Sequence, residues 1–284
     1  MSTPSFDPVQ YKAAQRQQWD TVAAGWRRWW ETIERGAQHV SDRLVELAAI
    51  QPGHRVLDVA TGIGEPAITA ARRVGPAGRV VATDQSPKML AIARERAAAL
   101  ELHNLDFREM DAEALDFPER SFNAILCRWG LMFLPHPAAA LDHVRRLLVP
   151  RGRFAATVWD VPPKVPMLSV AMGVVQRILQ PPPRTPSLFS LADPGVLEHA
   201  LLGAGFADVQ SERVMSIAEF PSVEAYTTML KDVAAPVMAL LADQPAERRA
   251  EVFRAIAEAA RAYTAADGRV RMSNQAICAV GRRA

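Results

Sequence analysis

The sequence predicts an α/β fold in which a doubly wound, mainly parallel seven-stranded sheet carries a helical cap. The first observation is a set of seven apolar, strand-like runs, at 54–60, 78–84, 105–110, 123–129, 153–159, 209–219 and 275–281. The second is that helix-patterned segments separate the first five runs. Strands that alternate with helices in this way form a mainly parallel sheet covered on both faces.

Two of the connecting helices have legible boundaries. The segment "SPKMLAIARERAAAL" places Ser86 at the N-cap and Pro87 at the first helical position. The segment "HPAAALDHVRRLLV" has a similar pattern and is expected to end at Pro150 and Gly152. Three regions do not fit the alternation, and we expect them to form cap elements: 9–50, the proline-rich 161–186 and the helical 222–265.

Composition narrows the class of protein. The chain has 284 residues and a formal net charge of +2 without a long basic block, so nucleic-acid binding is not indicated. Its two cysteines, Cys127 and Cys278, fit neither a disulfide framework nor a zinc site, which favours a reducing compartment. The first residues lack an apolar signal core, and the apolar segment 233–242 is too short to cross a bilayer. We therefore expect a soluble, cytoplasmic protein without membrane insertion or a metal.

The turn after the first strand is expected to bind a ligand. In "VLDVATGIGEPAITAA", Ala60, Gly62 and Gly64 lie where the strand must turn sharply into a helix. Pro66 is expected in the first turn of that helix. Small residues let a ligand approach the backbone, and a helix start offers unpaired N–H groups. The spacing Gly62-x-Gly64-x-x-Ala67 also satisfies the dinucleotide fingerprint, so the turn alone leaves the ligand open.

Asp84 ends the second strand, "RVVATD", shortly after that turn. A carboxylate at this place can accept hydrogen bonds from both hydroxyls of a ribose. The turn and Asp84 together predict a nucleoside site without specifying the nucleoside.

The motifs that follow resemble, in order and spacing, those of class I S-adenosylmethionine-dependent methyltransferases. After "DVATGIG" and Asp84 come "SPKML", "MDAEAL", "SFNAIL" and "LLVPRGRF", and the resemblance covers roughly residues 15–160. It is closest to the ubiquinone/menaquinone C-methyltransferase-like group of small-molecule enzymes. The resemblance implies a Rossmann-like methyltransferase fold, S-adenosyl-L-methionine as cofactor, and a small-molecule acceptor.

The resemblance also implies roles for particular residues. The turn would pass under the methionine part of the cofactor, Asp84 would hold the ribose, and Asp111 would accept from the adenine amino group. The implied cofactor-binding residues are Ala60, Thr61, Gly62, Asp84, Gln85, Met89, Asp111, Ala112, Cys127 and Arg128.

The N-terminal segment "QQWDTVAAGWRRWW" resembles the part of these enzymes that covers the cofactor. Trp19, Trp26 and Trp129 are candidate substrate residues. Trp26, Trp29 and Trp30 also stand at helical spacing, so simple core packing remains open for them.

The chain departs from the family pattern at three positions. Ala60 replaces the usual first glycine, Asn123 stands where aspartate is common, and Arg151 replaces a glycine in the Pro-Gly-Gly turn. Only Ala60 lies at an expected cofactor contact, and its side chain is small.

These expectations divide the chain into a core and its additions. We expect an N-terminal helical lid at 1–50, the S-adenosylmethionine-binding core at 51–160, a cap insertion at 161–186, a core continuation at 187–220, a helical cap insertion at 221–268 and the final core strand at 269–284.

The predicted reaction is methyl transfer to an apolar or aromatic acceptor, at carbon, oxygen or nitrogen. His136, just after the fourth strand, is the candidate general base that topology places best, although a loop or cap role remains open. One alternative is a catalytically silent S-adenosylmethionine-binding regulator. A nicotinamide-dependent oxidoreductase is less favoured, since no tyrosine is followed by lysine in a Tyr-x-x-x-Lys pair.

Overall fold

The computed structural model describes residues 6–181 and 186–284, and its strands form one sheet. The strands are β1 (Arg55–Val59), β2 (Arg79–Asp84), β3 (Leu105–Glu109), β4 (Phe122–Arg128), β5 (Leu148–Trp159), β6 (Ala207–Phe220) and β7 (Val270–Arg282). Their order is β3-β2-β1-β4-β5-β7-β6. The pairs among β1 to β5 are parallel, while β7 runs antiparallel to β5 and β6. The predicted mainly parallel seven-stranded sheet is confirmed.

The helices lie between and beyond these strands. They are α1 (Pro8–Leu47), α2 (Ala67–Val74), α3 (Pro87–Ala99), α4 (Pro137–Leu147), α5 (Pro166–Leu179), α6 (Val196–Gly203), α7 (Val223–Val233), α8 (Ala235–Leu241) and α9 (Ala246–Ala260). Ser86 caps α3 as predicted, because its hydroxyl accepts a hydrogen bond from the Met89 N–H at 3.1 Å.

Two predicted helix boundaries are wrong. The α4 helix ends at Leu147, because Leu148 already pairs with Phe122 in the sheet, and Pro150 therefore lies inside β5. Pro66 occupies the N-cap position of α2 and not its first turn. Both errors concern how far a helix extends and not whether it exists.

The single long helix α1 contacts both the sheet and the cap. Asp7 caps its start by accepting a hydrogen bond from the Val9 N–H at 2.9 Å. Near its C-terminal end, Val40 and Leu44 are fully buried in the cluster that covers one face of the sheet. Near its middle, Val22 is buried in a second cluster with Ile63 and Ala235. In the described ranges, no helix, α1 included, combines the length and apolar character that a membrane span needs.

The cap helices α5, α7, α8 and α9 share one hydrophobic cluster. Tyr226, Leu230 and Ile256 are at its centre, and Phe220 and Met272 extend it onto β6 and β7. The cap is thus anchored on the two antiparallel strands, beside the carboxyl end of β5.

Two departures from the family pattern occur where the backbone is left-handed. Ala60 has a φ of 58° and Arg151 has a φ of 66°. Glycine adopts this conformation freely, whereas a residue with a Cβ is strained by roughly 1–2 kcal/mol. Glycine is therefore usual at these two positions because it adopts this conformation without strain. This chain has Ala60 and Arg151 there, and its backbone is strained at both.

Replacing Arg151 by glycine is expected to raise the free energy of unfolding by about 0.5–1 kcal/mol, since relief of the left-handed strain exceeds the entropy that glycine adds to the unfolded chain. Arg151 is exposed, so little packing is lost. Urea unfolding followed by circular dichroism measures the change. The matched control is Arg79→Gly in the extended backbone of β2, which is expected to destabilise. Equal losses at both positions would contradict the strain argument.

Candidate functional site

A cavity of about 270 Å³ lies between the carboxyl ends of the parallel strands, α1 and the cap. The strand order reverses direction between β1 and β4, and ligands of open α/β sheets bind beside such a switch point. Every predicted cofactor-binding residue except Cys127 lines this cavity: Ala60, Thr61, Gly62, Asp84, Gln85, Met89, Asp111, Ala112 and Arg128.

Asp84 is fixed by two backbone donors at the end of β2. The Gly62 N–H donates to its Oδ2 at 2.8 Å, and the Ser86 N–H donates to its Oδ1 at 2.9 Å. Burial raises the pKa of Asp84 to about 6, against the effect of these hydrogen bonds. Each carboxylate oxygen keeps a further lone pair, so the group can still accept from two ribose hydroxyls.

The turn after β1 leaves room for a ligand against the backbone. The Thr61 N–H donates to the Thr83 carbonyl at 2.9 Å, which ties the turn to β2. A Cβ placed on Gly62 would meet no heavy atom within 4 Å, so the space beside its backbone is open. Together with the oriented Asp84, this open space fits a nucleoside cofactor.

Asp111 already has partners from α1 and from its own loop. The Lys12 ammonium donates to Asp111 Oδ2 at 2.7 Å and lies 2.5 Å from Glu113 Oε2. The Glu113 N–H donates to Asp111 Oδ1 at 2.9 Å. Sequence reasoning missed Lys12 because its contact joins residues far apart in the chain. The start of α1 is therefore tied to the predicted adenine end of the cavity.

Arg128 forms a buried ion pair with Glu34 of α1. Its Nη2 lies 2.6 Å from Glu34 Oε1, and its Nη1 donates to Glu34 Oε2 and to the Ser41 hydroxyl, both at 2.9 Å. The two side chains are 7% and 6% exposed. Glu34 was not predicted, because no local pattern pairs it with β4.

Cys127 does not belong to the cavity wall. Its side chain is buried in the hydrophobic cluster on the other side of β4, whereas Arg128 reaches the cavity. Successive side chains of a strand point to opposite faces, so the two neighbours cannot line the same pocket from within β4. Burial raises the pKa of the Cys127 thiol to about 12, which leaves it protonated.

The three predicted substrate residues, Trp19, Trp26 and Trp129, all line the cavity. Trp19 packs edge to face against Phe133 at 5.3 Å between ring centroids. Trp129 stacks on Trp159 at 4.4 Å. Trp26 also donates from Nε1 to the Val233 carbonyl at 3.2 Å, so it joins α1 to the cap as well as facing the cavity.

His136 lies on an exposed turn, and it is not among the residues that line the cavity. Its backbone N–H donates to Glu113 Oε1 at 2.5 Å, and it occupies the N-cap position of α4. A short 3₁₀ helix, Leu131–Phe133, carries the chain from β4 to this turn. The structure brings no imidazole to the cavity within the described residues.

Comparison with known proteins identifies the family. Residues 56–152 match a methyltransferase domain family. The chain is 33% identical over 144 residues to the ubiquinone/menaquinone biosynthesis C-methyltransferase UbiE of Pseudomonas putida, covering 50% of this chain and 52% of that protein. It is 33% identical over 135 residues to UbiE of Ectopseudomonas oleovorans, covering 47% of this chain and 74% of that protein. The chain belongs to the class I S-adenosylmethionine-dependent methyltransferases.

The fold of this methyltransferase agrees with a solved structure. YcgJ from Bacillus subtilis aligns with a TM-score of 0.59 at 20% identity, over 87% of this chain and 98% of that chain. The methyltransferase spans about half the length of the Pseudomonas putida relative. Its cofactor is S-adenosylmethionine, and the spacing Gly62-x-Gly64-x-x-Ala67 lies within the residues that match the methyltransferase domain.

The affinity of the methyltransferase for S-adenosylhomocysteine is expected to fall as pH decreases through about 6. Asp84 has a raised pKa in the ligand-free protein, and the ribose hydroxyls bind its ionised form, so affinity is full above that pKa and is lost below it. Calorimetric titration across this range measures the effect. Asp84→Asn is expected to bind at least about tenfold more weakly and to lose the limb near pH 6. Unchanged affinity in a folded variant would remove Asp84 from the site.

Proposed function

We propose that this protein transfers the methyl group of S-adenosylmethionine to an apolar or aromatic small molecule, at carbon, oxygen or nitrogen. The observation that carries the proposal is an apolar chamber where the cavity meets the cap. The chamber is lined by Met132, Phe133, Trp159, Met167, Leu168, Ala171, Met172, Phe220, Met229, Leu230, Val233 and Val237.

The chamber has the chemistry of an acceptor site for an uncharged molecule. Every residue that α5, α7 and α8 contribute to the cavity wall is apolar. A phosphate or a free carboxylate would lose its hydration there without a charged partner from these helices, which is costly. Several of the lining side chains are methionines, which adapt to irregular ligand shapes. An uncharged apolar or aromatic acceptor fits this wall best.

We further propose that the N-terminal part of α1 acts as a lid over the site. Lys12 contacts Asp111, and Asp20 accepts a hydrogen bond from the Ser86 hydroxyl at 2.5 Å. Trp19 and Trp26 line the same cavity. A lid in this position excludes water and holds the acceptor beside the cofactor.

The chain's own contribution to the reaction is positioning. S-adenosylmethionine supplies a methyl group that is already activated by its sulfonium. Asp84 and the turn at Gly62 fix the nucleoside, while the chamber holds the acceptor and keeps out water. Orientation of two reactants in this way can account for several kcal/mol of barrier reduction, of the order of 7–11 in the best cases.

His136→Ala is expected to retain at least about a tenth of wild-type turnover, because its side chain is exposed and the cavity wall lacks it, whereas loss of a general base costs about 100- to 10,000-fold. Single-turnover methyl transfer at saturating cofactor, followed against pH, measures this. A fall beyond about 100-fold together with loss of a pH-dependent limb would instead establish His136 as the base.

The proposal is tested by incubating the protein with labelled S-adenosylmethionine and a metabolite extract, and identifying the compound that gains the label. We expect an uncharged apolar or aromatic product, and less of it with Asp84→Asn when the cofactor is subsaturating. Tight binding of the cofactor with no labelled product across extracts would favour the alternative of a silent S-adenosylmethionine-binding regulator. A charged product such as a phosphate ester would contradict the assignment of the chamber.

A further inference from the structure

Two stacked tryptophans on the cavity wall, Trp129 and Trp159, have indole N–H groups that none of the roles above uses. Trp129 directly follows β4, and Trp159 is the last residue of β5. Their rings lie 4.4 Å apart between centroids, with an angle of 19° between the planes. Within the described part of the chain, neither Nε1 has a hydrogen-bond partner. Buried indole N–H groups usually have one, so two donors are left unsatisfied beside the cavity.

The two donors differ in whether a ligand can reach them. The Nε1 of Trp129 is enclosed by protein atoms, and the Arg128 guanidinium lies 5.1 Å from the centre of its ring. Trp159 is 7% exposed, and its Nε1 is not enclosed in this way. Because Trp159 lines the cavity, the open space beside this Nε1 belongs to the cavity. Trp159 is therefore the donor that a bound molecule can meet.

The side chains around Trp159 offer it no strong acceptor. Its hydrophobic cluster contains Met132, Val165 and Ala276, against which Trp129, Phe133, Met167, Leu168 and Phe189 pack. The methionine sulfurs are weak acceptors, and the other side chains of the cluster do not accept conventional hydrogen bonds. A phenylalanine at this position would form a similar aromatic wall without an unpaired donor. The N–H group is thus a single polar feature in an apolar part of the chamber, and a ligand oxygen would satisfy it.

We propose that Trp159 Nε1 donates a hydrogen bond to an uncharged oxygen of the methyl acceptor, a carbonyl or a hydroxyl. The inference rests on the proposed function, since it requires that the acceptor occupies the chamber. It narrows the substrate class from apolar or aromatic molecules to those that carry such an oxygen. Trp159 is then a specificity residue, because an oxygen-free molecule of the same shape leaves the buried donor unpaired.

The test compares two probes of similar shape by ligand-observed NMR titration, with the protein saturated with S-adenosylhomocysteine. The carbonyl of 1-indanone only accepts hydrogen bonds, and indane lacks the oxygen. Trp159→Phe keeps an aromatic wall but removes the donor. It is expected to weaken binding of 1-indanone by about five- to tenfold, as for one neutral hydrogen bond, and to leave indane within about twofold.

A matched control uses the same substitution outside the cavity. Trp30 is not among the residues that line it, and its ring lies 4.5 Å from the Arg96 guanidinium. Trp30→Phe is expected to change the affinity of neither probe. Circular dichroism shows whether both variants are folded.

The outcomes separate this inference from the proposed function. Equal weakening of both probes by Trp159→Phe, or of neither, would overturn the role of the indole donor while leaving methyl transfer to an apolar molecule in place. Failure of the wild-type protein to bind either probe would contradict both the chamber as an acceptor site and this inference.

A second measurement needs no variant. When the wild-type protein transfers a labelled methyl group into a metabolite extract, the labelled product is expected to carry a carbonyl, hydroxyl or ether oxygen. The ether arises where the hydroxyl itself is methylated and loses its proton. A labelled apolar product without oxygen would overturn the inference and still support the proposed function.

Discussion

Arg128→Met is expected to lower the free energy of unfolding by about 3–5 kcal/mol, because it leaves the Glu34 carboxylate buried without its cation. The substitution also destabilises the ionised forms of Asp58 and Glu65, since the positive charge of Arg128 favours both. A single guanidinium thus supports three buried carboxylates. Urea unfolding at neutral pH measures the change, with the slope of the transition as a check that the denatured state is unaltered.

The controls for this prediction distinguish two causes of the lost stability, an unpaired buried charge and lost packing. The double variant Arg128→Met with Glu34→Leu is expected to recover most of the stability, since both members of the buried pair are replaced by apolar groups. Arg261→Met, which breaks an exposed pair with Glu258, is expected to change stability by less than about 0.5 kcal/mol. A double variant as unstable as Arg128→Met alone would show that shape, and not charge, causes the loss.

Deletion of residues 1–32 is expected to reduce methyl transfer by at least about 100-fold while leaving a folded core. The deletion removes Lys12, Trp19 and Trp26, which line the cavity, but keeps Glu34 and the part of α1 that packs on the sheet. The open site then admits water and loses orientation of the acceptor. Single-turnover transfer and circular dichroism on the same preparation measure activity and fold.

A variant with only two substitutions controls for a general loss of structure in the truncated protein. Lys12→Met combined with Trp19→Ala keeps the whole of α1 but removes its tie to Asp111 and its contact with Phe133. We expect transfer to fall in this variant too, with a melting temperature close to that of the wild type. Full activity of the folded, truncated protein would show that the segment serves packing alone.

The sequence predicted those parts of the fold and site that depend on local patterns. The helix N-cap at Ser86 and the strand that ends at Asp84 are each indicated by a few consecutive residues, and the structure contains both. The pairing of Glu34 with Arg128 joins residues 94 positions apart, and that of Lys12 with Asp111 spans 99. Such contacts depend on where a long helix lies against the sheet, which no local pattern encodes.

Two further differences have local causes that the sequence pattern hides. Cys127 was predicted beside Arg128 as a site residue, yet the alternation of a strand sends one of them to the core. The strand β7 begins before its apolar run, because exposed residues alternate with buried ones from Val270 to Asn274. The apolar run therefore marks the covered part of a strand and not its full length.

The continuity of α1 determines how the site is reached. The helix has 40 residues, so at about 1.5 Å per residue it extends for roughly 60 Å. It lines the cavity at Lys12 and packs on the sheet at Leu44. A lid formed by a loop can move about a hinge. The proposed lid is instead the N-terminal part of a continuous helix whose C-terminal part packs in the core. We expect the proposed lid to open by unwinding of the first turns, beginning at the Asp7 cap. The acceptor is then expected to enter when these turns fray. Hydrogen exchange of their backbone amides measures how often they fray.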